Sequence, residues 1–120
     1  MPVTDLTRET FGDFVKNNEV GFIDFWAAWC GPCRQFAPAY ARVSERHPEV
    51  AFGKVDTEDQ PELAGHFNIM SIPTLMAFRQ GVILYAQPGA IPEEALEDLL
   101  GQIMALDMEE VFKELETAQS

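Results

Sequence analysis

The chain of 120 residues contains two thiols, Cys30 and Cys33, separated by Gly31 and Pro32. Residues three apart on a helical turn have Cβ atoms about 5–6 Å apart. A disulfide needs them at roughly 4 Å, so such a pair can close or open a ring with little movement. A helix N-terminus presents unsatisfied N–H groups and a partial positive charge, which stabilise a thiolate and lower its pKa. The chemistry this spacing allows is reversible dithiol–disulfide exchange. Cys30, facing outward from the helix end, is the expected nucleophile, and Cys33 is the resolving thiol behind it. Two blander readings compete. A structural disulfide over so short a loop would constrain little of the unfolded chain. A zinc site needs four ligands, and only His47 and His66 remain to join the cysteines.

The flanking residues say how the pair is held. Val20–Trp26 is mostly apolar and reads as a strand buried on both faces. Beyond the cysteines, Phe36, Tyr40 and Val43 recur at helical spacing. The pair therefore sits where a strand turns into a helix. Pro32 suits the first helical position, where a missing N–H matters least. Pro38 should kink the same helix, which closes near His47, before Pro48.

The octapeptide Trp26-Ala27-Ala28-Trp29-Cys30-Gly31-Pro32-Cys33 resembles the active-site signature of the thioredoxin family. The Cys-x-x-Cys motif near a βαβ pattern is itself a general sign of that family, which also illustrates the lowered thiol pKa. The resemblance implies a protein-disulfide reductase with a Cys30–Cys33 redox disulfide. No bound cofactor is needed, and re-reduction falls to a flavin-containing, NADPH-dependent thioredoxin reductase. Substrates would be diverse disulfide-containing proteins. Gly-Pro between the cysteines resembles the reducing members of the superfamily; oxidising and isomerising members usually carry a His there.

The resemblance also implies supporting residues. Asp24 interrupts an apolar strand, and a buried carboxyl holds its proton to higher pH. The matching family residue serves the resolving thiol, here Cys33, as general acid/base. Lys54, on the neighbouring strand, could pair with Asp24. Ser71-Ile72-Pro73-Thr74 resembles the family's cis-proline loop, which faces the cysteines. The Ile72 backbone would then pair with an extended substrate strand, a mode that reads no side chains. Gly89-Ala90 resembles the last wall of that groove, with Trp29, Gly31, Pro32 and Pro73 as its other members. Trp29 is expected to roof the groove and Trp26 to belong to the core. Met70 departs from the family, which often has a basic residue there, and bears on partner preference. His47 and His66 are given no function, and Gly81 is a turn glycine.

In chain order, Pro2–Leu6 is a weak edge-strand signal. Thr7 caps a helix to about Asn17, with Phe11, Phe14 and Val15 on one face. Val50–Asp56 is a second interior strand, and the helical crossover makes it parallel to the first. Pro61 opens a short helix that Asn68 stops. Thr74–Arg79 and Val82–Ala86 form a hairpin about Gln80-Gly81. Pro88-Gly89 turns the chain, and Pro92 opens a helix with Leu96, Leu99, Leu100, Ile103 and Met104 inward. This order gives an α/β protein with a mixed sheet and helices on both faces, as in the thioredoxin fold.

Residues 1–106 then make the thioredoxin domain, and 107–120 an added amphipathic helix. Asp107 with Glu110 resembles a capping box, and Leu106 with Val111 a hydrophobic staple. Val111, Phe112 and Leu115 are expected to pack on the body; binding a partner is the alternative.

Charge bounds the partners. Eight basic residues face 20 acidic ones, a net charge of −12. Between Glu93 and Ser120 stand nine acids and one lysine, so −8 of that charge lies there. Nucleic acid and anionic membrane are poor partners for such a chain. The first residues carry neither a basic region nor an apolar run, and no stretch approaches the roughly 20 apolar residues of a membrane span. A cytoplasmic monomer is the expectation, and a reducing compartment suits a working dithiol. The rivals are a binding module whose dithiol is incidental, and a disulfide oxidase or isomerase.

Overall fold

The computed structural model describes residues 2–119. Five strands and five helices follow one another as β1 (Val3–Asp5), α1 (Arg8–Asn17), β2 (Val20–Trp26), α2 (Gly31–Arg46), β3 (Ala51–Asp56), α3 (Pro61–His66), β4 (Thr74–Arg79), β5 (Val82–Pro88), α4 (Glu93–Ala105) and α5 (Met108–Gln119). The sheet order is β1-β3-β2-β4-β5. β1 and β2 run parallel to β3, while β4 pairs antiparallel with β2 and β5. This is the thioredoxin fold expected from the sequence, with β2 at the centre.

Alternation along β2 divides the core. Phe22 joins Phe36, Tyr40, Val43, Phe52, Leu75, Leu96, Leu100 and Ile103 beneath α2 and α4. Ile23 and Phe25 join Leu6, Phe11, Val55, Leu63, Met76 and Phe78 beneath α1 and α3. Successive strand residues point to opposite faces, so Asp24 projects to the α2 side. Gly21 is fixed by space: a Cβ there would lie 2.5 Å from the Phe78 ring and 2.8 Å from the Ala51 carbonyl oxygen.

Several boundaries differ from the sequence reading. α2 starts at Gly31, so Pro32 occupies the second helical position rather than the first. β5 runs on to Pro88, which pairs with Thr74, instead of stopping at Ala86. The hairpin turn has positive φ at both Gln80 (53°) and Gly81 (78°), as a two-residue primed turn requires. Met104 is exposed, because the inward face of α4 ends with Ile103.

The end of α4 is held by a residue the sequence did not flag. Arg79 donates through Nη1 to the carbonyls of Ile103 (3.1 Å), Met104 (3.1 Å) and Leu106 (2.8 Å). These lie among the carbonyls that lose their regular intrahelical partner at a helix C-terminus, and that of Ile103 also accepts the Leu106 N–H at 3.4 Å. Asp107 then caps α5, accepting from the N–H groups of Glu109 (3.0 Å) and Glu110 (3.4 Å). Met108 is the buried anchor of α5, whereas Phe112 and Leu115 are 40% and 38% exposed. The apolar face of α5 is thus only partly covered, and the residue that seats it precedes the three expected from helical patterning.

Part of the acidic surplus is spoken for. Glu93 accepts from Arg42 (2.8 Å) and Arg46 (2.9 Å), and Glu97 from Arg46 (3.4 Å), joining α2 to α4. His47 Nε2 lies 2.9 Å from Glu97, so its place is structural.

Candidate active site

The site is built on the β2–α2 junction. Cys30 is the N-cap of α2, and its sulfur accepts the Cys33 N–H at 3.2 Å. That is the position and the bond of a capping Ser or Asp. Pro32 has no N–H to offer, so Cys33 supplies the donor. The two residues form a disulfide, with Cα atoms 5.2 Å apart. A donated N–H and a helix N-terminus are the two features that favour the thiolate form of a sulfur, and the Cys30 sulfur has both. Arg34 ties the junction together, donating its backbone N–H to the Cys30 carbonyl (3.1 Å) and its Nη1 to the Ala28 carbonyl (2.8 Å).

The sequence suggested an outward-facing Cys30. Cys30 is only 4% exposed, because the loop before β4 lies against it. Its Sγ is 3.7 Å from the Ile72 carbonyl oxygen, and Ile72 and Trp26 pack on the cluster of Ala27, Cys30 and Cys33. The Ile72–Pro73 bond is cis, in accord with the resemblance. Pro73 is buried, and its carbonyl accepts the Gly89 N–H at 2.7 Å, which joins the exposed Gly89-Ala90 segment to this loop. Gly89 has a φ of 108°, a conformation that favours glycine. The Ile72 N–H has no hydrogen-bond partner among the described residues.

Trp29 stands 66% exposed beside the pair, and its indole N–H donates to Glu58 at 2.6 Å. It shares an open cleft with Thr57, Ile69, Met70, Ser71 and Ile72. Gly31 and Pro32 open α2 between the two cysteines and are not among the residues lining that cleft. Glu58 was invisible to the sequence reading, since a polar loop acid gives no sign of its partner. Met70 is almost fully exposed on this cleft.

Asp24 is 3% exposed, and its Oδ1 has no hydrogen-bond partner among the described residues. Burial pushes its carboxyl from the ordinary 3.8 up to about 7, against the opposing pull of the Lys54 charge. The expected direct pairing of Lys54 with Asp24 is not what the structure holds. Lys54 is level with Asp24 in the β2–β3 register, but its Nζ makes an ion pair with Asp5 at 3.6 Å. It also lies over the Trp26 ring, 5.3 Å from the centroid. Trp26 itself is half-buried rather than fully in the core. Tyr40, on α2, donates its hydroxyl to the Gly53 carbonyl at 2.7 Å, and its pKa is pushed well up by burial and by the charge of Asp24. Among the described residues no cluster of His, Cys, Asp and Glu could hold a metal ion.

Comparison with known proteins agrees with this geometry. The family model described as Thioredoxin matches residues 2–102. A Streptomyces coelicolor protein provisionally designated thioredoxin 2 is 55% identical over 116 residues, 97% of this chain and 87% of its own. Thioredoxin C-3 of Corynebacterium nephridii is 38% identical over 82% of this chain and 68% of its own. Among solved structures, a variant thioredoxin from Halobacterium salinarum superimposes with a TM-score of 0.81 at 28% identity, covering 88% of this chain and 93% of its own. With its Cys30–Cys33 pair at the head of α2, the chain belongs to the thioredoxin family and is a protein-disulfide oxidoreductase that works by dithiol–disulfide exchange.

Proposed function

We propose that Cys30 attacks and Cys33 resolves. The Cys30 thiolate displaces one sulfur of a substrate disulfide, which leaves as a thiolate and takes up a proton. Cys33, losing its proton to the Asp24 carboxylate, then attacks the Cys30 sulfur of the mixed disulfide. The second substrate thiol departs, and the Cys30–Cys33 disulfide carries away two electrons' worth of oxidation. A thiol poised near ambient pH is the best attacker, so a moderately lowered pKa at a helix N-cap fits the task. The observation that carries this assignment is the 3.2 Å bond from the Cys33 N–H to the Cys30 sulfur.

The substrate is an extended segment of a disulfide-containing protein, laid between Trp29 and the Ser71–Pro73 loop. The Ile72 N–H, unpartnered among the described residues, supports main-chain pairing there, and Gly31, Pro32, Gly89 and Ala90 would border the bound segment. Re-reduction comes from a flavin-containing, NADPH-dependent thioredoxin reductase, in the cytoplasm. No helix among the described residues is long and apolar enough to cross a membrane.

Coupled turnover tests this. NADPH oxidation is followed with thioredoxin reductase, a disulfide-bonded protein substrate, and wild type, Cys30→Ser or Cys33→Ser. Wild type sustains turnover and both variants stop it. Sustained turnover by Cys30→Ser would overturn the assignment.

A further inference from the structure

Three ionisable residues lie in one row across three neighbouring strands. Asp5 of β1 pairs in register with Lys54 of β3, and Lys54 with Asp24 of β2. In-register residues of adjacent strands project to the same face, here the side covered by α2. One ammonium thus stands between two carboxyl groups in unlike surroundings. Asp24 is buried with an oxygen unpartnered among the described residues, while the Asp5 side chain is 81% exposed on the edge strand. Coulomb attraction across a buried gap would exceed that to a solvated carboxylate, yet the Lys54 Nζ is 3.6 Å from Asp5 and rests over the Trp26 ring.

We propose that Asp5 is a positioning residue for the exchange reaction: its carboxylate holds the Lys54 ammonium at the outer end of the row and so withholds that charge from Asp24. The inference rests on the reading of Asp24 as the group that handles the Cys33 proton. An ammonium moved inward would favour the Asp24 carboxylate over the acid, making it a weaker base and a scarcer proton donor at neutral pH. Tyr40 on α2 is the other titratable group that feels the Asp24 charge; Cys33 lies in the first turn of α2 and Cys30 at its N-cap, and β4 offers Leu75 in register. Asp56, one step along β3, is engaged by the N–H groups of Glu58 and Asp59. Among the described residues Lys54 is therefore the cation whose charge reaches Asp24, and Asp5 is the carboxylate it pairs with, while the Trp26 ring lies beneath its ammonium.

The test reads the Asp24 carboxyl carbon by NMR in oxidised protein, where the cysteines do not titrate. Asp5→Asn lies on an exposed edge and leaves the core untouched. It should lower the Asp24 midpoint by about 0.2–0.7 pH unit, the range of an exposed ion pair. Asp5→Glu should restore the midpoint. Lys54→Met should raise it above wild type, and adding Asp5→Asn to that variant should then change nothing. An unmoved midpoint in Asp5→Asn overturns the positioning role, and so does an equal downward shift in the Lys54→Met background. The rate at which Cys33 resolves a preformed mixed disulfide is measured over the same pH range and should track the midpoint. A midpoint that moves while the rate profile stays put overturns the role of Asp24 and, with it, that of Asp5.

Discussion

Asp24→Asn isolates the energetic consequence of burying a carboxyl at the centre of the sheet. The folded protein holds the Asp24 proton up to about pH 7, whereas the ordinary value is 3.8. Between these limits the folded state binds more protons than the unfolded state, so stability falls as pH rises. The contribution is unfavourable, absent below pH 3.8 and complete above pH 7. The gap of 3.2 units corresponds to about 4 kcal/mol at pH 8.5, by 1.36 kcal/mol per unit. At pH 5 the same linkage gives about 1.7 kcal/mol. An Asn side chain has the same shape and no charge, so its own packing effect is nearly independent of pH. The stability difference, variant minus wild type, should therefore grow by roughly 2.5 kcal/mol from pH 5 to pH 8.5. Urea unfolding of the oxidised proteins at half-unit intervals measures it. Parallel stability curves would refute the claim that Asp24 is buried without a compensating partner.

Two further outcomes follow from the α4–α5 region. Arg79→Ala leaves three helix-end carbonyls without their shared donor and should cost about 1–3 kcal/mol, with faster amide exchange around residues 103–108. A loss under about 0.5 kcal/mol, the scatter of ordinary surface substitutions, would contradict it. Removing residues 107–120 strips out the buried Met108 and should lower stability by about 1.5–3 kcal/mol while leaving exchange activity intact. Unchanged thermal stability would show that α5 does not pack on the body, and lost activity would make it part of the site.

Much of this was legible in the chain because local chemistry and global fold agree. The apolar run of β2, the Gly31-Pro32 opening of α2 and the Gln80-Gly81 turn each specify one local structure. The cysteines were legible for the same reason: their spacing and the strand-to-helix switch are both properties of neighbouring residues. What escaped was set by contacts between distant segments. The cover over Cys30 comes from a loop 42 residues away. The Lys54 partner depends on strand register, which brings Asp5 and Asp24 to either side of it. Arg79 reads as a strand-end cation until the hairpin places it beneath the last turn of α4. On α5, helical periodicity identified an apolar face but not which part of it the body covers, and Met108 at the cap end is the part buried.

The division of labour between the two sulfurs is tested most directly by trapping. Cys33→Ser, incubated with a protein carrying one exposed disulfide, should accumulate a stable mixed disulfide at Cys30, identified by mass spectrometry of the peptide and released by dithiothreitol. Cys30→Ser should accumulate little under the same conditions, since Cys33 lies within the first turn of α2 and lacks the N-cap bond that the Cys30 sulfur makes. Adducts forming on Cys33 in Cys30→Ser as fast as on Cys30 in Cys33→Ser would contradict the account.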